Sequence, residues 1–337
     1  MRILVLLGGN SPEREVSLAS GEAVAKGLDE KGHQVLKMDP ANPEKVYTMT
    51  ESVFKGSIAP LPQGEDAALT PEQVVRILDN IKKYSIDLVF PALHGGWGED
   101  GRLQALLEMT NIPFAGSGAC ASALAMNKHL SKRIAASLGI PVPDYFFLPR
   151  TEIQRAINLC SDFGCPLVVK PNAKGSSVGV TIVKEIRALA PALEAVQNLN
   201  DDLIIERYIA GREITVGILD GGALAALEIV PKDGFYDYHH KYTAGQTEYI
   251  CPAPISPDLT EKARQYAAAV FNLMECKVFG RVDFRMNKKG EMFFLEVNTI
   301  PGMTSSASLL PKTAAAVGMN FPELVNRIVV SSMNLKR

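Results

Sequence analysis

From Ile3 to Leu7 every side chain is apolar, and the run stops at Gly8-Gly9. A short continuous apolar run closed by glycines suits a strand buried on both faces. A helix is predicted from near Ser11-Pro12, then a strand near HQVLKM and a polar, Pro-rich stretch from about 40 to 70. PEQVVRILDNIKKY has the spacing of an amphipathic helix, DLVFPAL reads as a further strand running into HGGWGEDG, and a helix follows from Arg102. Strand and helix signals in alternation predict an α/β unit built on an open parallel sheet, whose ligands gather at the carboxyl ends of its strands. GGNSPE and HGGWGEDG both fall there.

After FAGSG (114 to 118) the texture changes. One helix, SALAMNKHLSKRIAASLG, is stopped by Gly139 and the Pro141/Pro143 pair. The β runs PLVVK, VGVTIV and LIIERYI follow, with a helical stretch near 185 to 198, then EITVGIL and LAALEIV, a long polar loop, and a helix from about 257 to 275. The chain closes with a hairpin, GRVDFRMNKKGEMFFLEVN, and an amphipathic helix from about 321. This half predicts an α+β arrangement.

The hairpin carries the first chemical signal. Side chains two apart on a strand share a face. With an even loop around Asn287–Gly290, Arg281 lies opposite Glu296, Asp283 lies diagonal to it, and Asn298 extends the same face. Val282, Phe284, Leu295 and Val297 then point the other way. Taken alone, the hairpin also suits a half-solvated ribbon with a surface ion pair. The alternative is a magnesium site, because hard divalent cations take oxygen ligands and share them with nucleotide phosphates.

Phosphates have a candidate seat in PLVVKPNAKGSSVGVTIV. Lys170 ends a strand, and Gly175-Ser176-Ser177 offer backbone N–H groups with nothing bulky in the way. A plain hairpin turn is the other reading of this loop. It is no Walker A motif, since G-K-[ST] is missing. Lys128 lies upstream, and Glu206 and Glu213 flank a strand end downstream. Composition leaves this picture standing. At 337 residues, 47% hydrophobic and 21% charged, the chain is long enough for more than one domain with a sizeable core, and its net charge of −2 gives no basic field for nucleic acid. The apolar start is too short for a secretory h-region, no run is long enough to span a bilayer, and five cysteines without C-x-x-C spacing suit a reducing cytoplasm. GGNSPE lacks G-x-G-x-x-G, which argues against a dinucleotide dehydrogenase.

Two lysines, a glycine-serine flap, hinge carboxylates and a D…E-x-N hairpin, in this order, resemble an ATP-grasp enzyme. More closely, GGNSPEREVS, HGGWGEDG, KPNAKGSSVG, FYDYHHKY, GRVDF and LEVNTIPGMTS occur in the order seen in D-alanine–D-alanine ligases. The resemblance covers nearly the whole chain and is weakest from about 40 to 80 and over the last dozen residues.

The resemblance implies ATP-dependent ligation of two D-alanines through a D-alanyl phosphate, for peptidoglycan precursors, in a cytoplasmic homodimer. Another ATP-grasp carboxylate–amine ligase, such as one making D-Ala-D-Ser, is the alternative. It implies an N-terminal substrate-binding unit (1–116), a central ATP-grasp unit (117–209) and a C-terminal one (210–337). Asp283, Glu296 and Asn298 are the implied ligands of one or two Mg²⁺ or Mn²⁺ ions. Lys128, Lys170 and Lys241 are the implied phosphate contacts. Glu206 and Glu213 are expected at adenine and ribose, with the backbone of Arg207–Ile209 on the base edge.

Glu13 is the implied anchor of the first ammonium group, although a carboxylate beside a helix N-terminus is also its ordinary structural role. Ser176 and Tyr242 extend its hydrogen-bonded link, and His94 is expected near the first carboxylate. Arg281 and the Gly302 N–H are the implied oxyanion donors, and Arg281 with Ser308, or Ser306, the contacts of the second carboxylate. The base that takes the amine proton stays open among Tyr242, His94 and a phosphate oxygen. DGFYDYHHKYTAGQTEY (233–249) is expected to be a lid, with His239-His240 bearing on its closure or pH dependence.

Overall fold

The computed structural model describes residues 1–54, 56, 58, 67–152, 154–234, 236–243 and 245–335, leaving aside the side chains of Gln154, Ser161, Asp162 and Tyr242. The first sheet is built from β1 (Arg2–Leu6), β2 (Gln34–Met38), β3 (Val46–Tyr47) and β4 (Leu88–Pro91), with α1 (Arg14–Glu30), α2 (Pro71–Lys83) and α3 (Arg102–Met109) between and after them. The strand order is β3-β2-β1-β4, and β1 runs parallel to both neighbours while β3 is antiparallel. Alternation along β1 sorts the two layers. Ile3 and Val5 pack with Val24 and Leu28 of α1, and Leu4 and Leu6 pack with Ile77, Ile81 and Leu107 of α2 and α3. Thr70 and Gln73 close a capping box on α2, with Pro71 at its start.

The single helix expected from Ser122 to Gly139 is two, α4 (Ala119–Met126) and α5 (Lys128–Ser137). Asn127 breaks it. Its backbone is extended, its side chain caps Leu130 N, and Lys128 N donates to the Asn172 carbonyl.

The second sheet has β5 (Tyr145–Leu148), β6 (Leu167–Pro171), β7 (Thr181–Val183) and β8 (Leu203–Arg207), with α6 (Gln154–Phe163) and α7 (Leu189–Asn198) on one face. Its order is β5-β8-β6-β7, antiparallel throughout. Leu167, Val169, Leu203 and Ile205 face those helices. Val168, Lys170, Ile204 and Glu206 therefore face away from them.

The third sheet joins β9 (Gly211–Leu219), β10 (Gly222–Pro231), β11 (Thr247–Ile250), β12 (Phe279–Asn287) and β13 (Met292–Asn298) in the order β11-β10-β9-β12-β13. Ile214, Val216, Val282 and Phe284 pack on α9 (Pro257–Leu273) and on Ala125 and Ala135 of α4 and α5. The expected long loop at 233–249 contains a short helix, α8 (Tyr238–Tyr242), and the edge strand β11. The chain ends with α10 (Leu309–Ala315) and α11 (Phe321–Met333), and Leu324, Val325 and Ile328 of α11 return to the first sheet's core. Among the described residues no helix is long and apolar enough to cross a membrane.

Candidate active site

The second and third sheets turn their uncovered faces toward each other, and a cavity of about 80 Å³ lies between them. Val168, Lys170 and Glu206 line one wall; Glu213, Asp283, Arg285 and Glu296 line the other. A larger cavity of about 500 Å³ opens where these sheets meet the carboxyl ends of β1 and β4. Glu13, His94, Glu99, Ser176, Asn298, Gly302, Ser306 and Ser308 line it. Lys128, Lys174, Tyr236, Lys241, Arg281 and Glu296 line both. Four cationic side chains thus stand at the junction.

The hairpin register differs from the expected one. Arg281 pairs with Asn298 and Asp283 with Glu296, whereas nearer the turn Phe284 pairs with Phe294. Asn287 and Glu291 close the turn around Lys288, Lys289 and Gly290, a loop of odd length. An odd loop alone would set Glu296 opposite Val282, on the apolar face. A bulge at Leu295 adds one residue and restores all four polar side chains to one face.

On that face Arg281 grips Asp283 with two hydrogen bonds, 2.9 Å from Nε and 2.8 Å from Nη2. Thr215 Oγ1 donates to the same carboxylate at 2.6 Å and Asn298 Nδ2 at 3.0 Å. Burial opposes the guanidinium charge, but the Asp283 carboxylate outweighs it and raises the Arg281 pKa. Burial likewise works against ionised Glu296, yet Lys128, Lys241 and Lys170 hold its pKa at about 2. Lys128 Nζ is 3.4 Å from that carboxylate and donates to the Lys174 carbonyl at 2.7 Å. Among the described residues no group of three His, Cys, Asp or Glu side chains is arranged to hold a metal ion alone. Two opposed carboxylates beside an amide make an oxygen-only, incomplete donor set. Such a set fits magnesium, which completes its shell with waters and phosphate oxygens, and does not fit zinc.

Glu206 lies between two lysines, Lys170 Nζ at 2.6 Å and Lys132 Nζ at 2.9 Å. Burial would raise its pKa, but the two ammonium groups bring it down to about 2. Glu213 pairs with Arg285 at 3.2 Å, and burial raises it against that pairing. Arg285 also donates to the carbonyls of Ile209 and Gly211, tying down the bend between β8 and β9. The N–H groups of Arg207 and Tyr208 go to the carbonyls of Asp144 and Pro166.

Glu13 sits at the N-cap position of α1 without capping it. Its carboxylate instead accepts a hydrogen bond from Ser176 Oγ. Ser176 and Ser177 both have left-handed backbones, with φ of 47° and 59°, which aims the flap into the cavity. A Cβ on Gly175 would lie 2.7 Å from Glu13 Oε2, and so would one on Gly95. Either Cβ would force this carboxylate to shift, and Gly95 also has a left-handed backbone, with φ of 71°. Burial raises the Glu13 pKa, and burial with the neighbouring Glu13 pushes Glu99 up to about 8 despite the Gly95 N–H it accepts at 2.9 Å.

His94 is held neutral, its pKa lowered to about 4 chiefly by burial. Its Nε2 meets Ser20 Oγ at 2.9 Å, and that hydroxyl accepts from Met303 N at 3.2 Å. Through Ser20 the ring is linked to Met303, in the loop after β13. In that loop Ser308 Oγ contacts Thr304 Oγ1 at 2.8 Å, and a Cβ on Gly302 would come within 2.9 Å of it, whereas Ser306 is exposed.

Every candidate side chain named from the sequence lines one cavity or the other, except those of His239, which lines neither, and Tyr242, which lies outside the described residues. Sequence reasoning missed Lys132, Arg285 and Glu99. Lys132 was findable, since it stands four residues after Lys128 on one helix and shares its face.

The chain matches the family models described as D-ala D-ala ligase N-terminus, over residues 2–117, and D-ala D-ala ligase C-terminus, over residues 134–330. It is 42% identical over 332 residues to a D-alanine–D-alanine ligase of Geobacter sulfurreducens, covering 98% of this chain and 94% of that one. It is 41% identical over 330 residues to the ligase of Aquifex aeolicus, covering 98% and 100%. The crystal structure of the Bacillus anthracis D-alanine–D-alanine ligase complexed with ATP superposes with a TM-score of 0.78 at 31% identity, covering 98% and 97%. The VanG D-Ala:D-Ser ligase of Enterococcus faecalis superposes with a TM-score of 0.78 at 28% identity, covering 98% and 99%.

Proposed function

This chain belongs to the D-alanine–D-alanine ligase family, and from that premise we propose that it joins two D-alanines at the expense of ATP, for peptidoglycan precursors. The observation that carries the reading is the junction of the two cavities. There Lys128, Lys241 and Arg281 stand between the Glu13 pocket and the cleft of Glu206 and Glu296. A polyphosphate and a substrate carboxylate can meet only across such a cationic boundary.

The γ-phosphoryl group passes to a carboxylate oxygen of the first D-alanine, giving an acyl phosphate and ADP. The neutral amine of the second D-alanine attacks that carbonyl carbon, phosphate leaves with the oxygen it joined, and the amine proton passes to Tyr242, His94 or a phosphate oxygen as the amide forms. Lys128, Lys170 and Lys241 neutralise the phosphates, which is how phosphoryl transfer is promoted. Asp283, Glu296 and Asn298 would hold one or two magnesium ions, which supply charge neutralisation between the phosphates. Asp283 would do so while Arg281 holds it in place. Glu206 and Glu213 bind adenine and ribose in this reading, beside the backbone of Arg207 and Ile209.

Glu13, steadied by Ser176, receives the first ammonium group, and that charge offsets the burial which raises its pKa. His94 reaches the first carboxylate only by exchanging one of its present partners. Arg281 and the Gly302 N–H face the oxyanion. Ser308 is favoured over Ser306 for the second carboxylate, because its hydroxyl lies beside Gly302. Closure of residues 233–249, with Tyr242, keeps water from the acyl phosphate. The division of labour is 1–116, 117–209 and 210–337, with α4 and α5 crossing to pack on the third sheet. An ATP-consuming reaction and five free thiols favour the cytoplasm.

Purified protein given ATP and Mg²⁺ with D-alanine, D-serine or D-lactate as partners for D-alanine tests the proposal. D-alanyl-D-alanine is expected as the main product by mass. A dominant D-Ala-D-Ser product would transfer the reading to that ligase type, and ATP turnover indifferent to D-alanine would end it.

A further inference from the structure

Helix α5 presents two lysines, one turn apart, to two different sheets. Lys128 Nζ lies 3.4 Å from Glu296 on β13. Lys132 Nζ lies 2.9 Å from Glu206 on β8. Lys132 is wholly buried and lines neither cavity. Its remaining contacts are the Phe294 carbonyl at 3.5 Å and the face of the Tyr145 ring, 5.7 Å from the centroid. Its nearest charged partner is Glu206, and its charge is also felt by Lys170 and, more weakly, by Glu296.

Glu206 Oε1 accepts a hydrogen bond from Lys170 Nζ at 2.6 Å, whereas Lys132 Nζ pairs with Oε2 at 2.9 Å by charge, outside hydrogen-bond geometry, so Oε2 keeps its acceptor capacity. With Lys170 alone, the carboxylate would turn toward that lysine and cancel its charge. With Lys132 behind it, the carboxylate is drawn from both sides, and the cluster of two ammonium groups and one carboxylate is positive at neutral pH, where Lys132 keeps its proton although burial lowers its pKa to about 8. Burying an ammonium group is unfavourable unless its partner offsets the loss of water. Here the partner is a carboxylate on the cleft wall.

We propose that Lys132 is a positioning residue for the nucleotide, fixing the Glu206 carboxylate to accept the exocyclic amine of adenine and leaving the charge of Lys170 for the phosphates. This rests on the reading that the smaller cavity takes the nucleotide. An ionised carboxylate only accepts hydrogen bonds. Adenine offers it an amine hydrogen, whereas guanine offers a carbonyl oxygen at the same place, so the arrangement selects ATP over GTP.

The test compares the wild type with K132M and K170M as full-length proteins, measuring kcat and KM for ATP, GTP and D-alanine, with thermal midpoints alongside. K132M is expected to raise KM for ATP about tenfold, to narrow the preference for ATP over GTP, and to leave KM for D-alanine unchanged. If K132M does not fold, K132Q, which removes the charge that holds Glu206 while keeping a polar side chain in the buried site, carries the same measurement. Wild-type KM for ATP with wild-type nucleotide preference overturns the proposal, and so does a parallel rise in KM for ATP and D-alanine. K170M separates this from its premise. ATP binding weakened by K170M but not by K132M removes only the role of Lys132, whereas ATP binding indifferent to both removes the nucleotide reading of the cleft.

Discussion

Asp283 and Glu296 stand directly opposite each other across the β12–β13 ladder, and one bulged residue, Leu295, puts them there. The bulge converts a ribbon whose loop has the wrong parity into one with all its polar side chains on the cleft face. Bulges re-aim side chains in this way beside functional sites. Glu296 is held ionised by three lysines, so its charge is part of the site at any pH where the protein is folded near neutrality.

Glu296→Gln keeps the shape and removes that charge. Turnover should fall about a hundredfold or more, the scale on which fixed charges act at a phosphoryl-transfer centre. The thermal midpoint should fall by a few degrees without loss of the fold, because the carboxylate also offsets the charges of Lys128, Lys241 and Lys170. Steady-state kinetics with a melting curve checks this, and near-normal turnover would remove Glu296 from the metal set.

Gly175 leaves room for the Glu13 carboxylate, since its backbone is not left-handed but a Cβ there would lie 2.7 Å from Glu13 Oε2 and force that group to shift. Gly175→Ala should therefore part Ser176 from Glu13 and raise KM for the first D-alanine about tenfold or more. KM for ATP should change much less. Equal effects on both substrates would place the damage in the flap as a whole.

His240 in the expected lid region has both ring nitrogens on carboxylates, Asp233 at 2.9 Å and Asp237 at 2.7 Å. The hydrogen bond to Asp233, opposed by partial burial and aided by Asp237, raises its pKa above the ordinary 6.5. A raised pKa means the contribution to order is complete below 6.5 and is lost as pH rises through the folded-state value. Proteolysis within 233–249 should accelerate as pH rises from 6 to 9, and His240→Ala should flatten that dependence. A wild-type rate that is constant with pH would contradict the pairing.

Much of the fold is legible in the sequence because its signals are local. The buried run Ile3–Leu7, the periodic α2 with its capping box, and the alternating β12 and β13 declare themselves without knowing their neighbours. β3, β5, α6 and α10 are missing from the sequence reading, and three further features depend on a partner. β11 is a strand through its ladder with β10, α8 has one turn capped by Asp237, and the break at Asn127 is secured by Asn172 from β6's end. The site shows the same division. Residue types in order point to the carboxylates and lysines, but the bulge at Leu295 and the pairing of Lys132 with Glu206 arise from register and tertiary approach. Glu99 is visible in HGGWGEDG, yet only burial beside Glu13 gives it a proton near neutral pH.

The central claim, that phosphate departs from a D-alanyl phosphate formed in this site, is tested most directly with D-alanine labelled with oxygen-18 in both carboxylate oxygens. Released phosphate should carry one labelled oxygen for each dipeptide formed, because the transferred phosphoryl group leaves with an oxygen of the first substrate. Dipeptide accompanied by unlabelled phosphate would contradict the account.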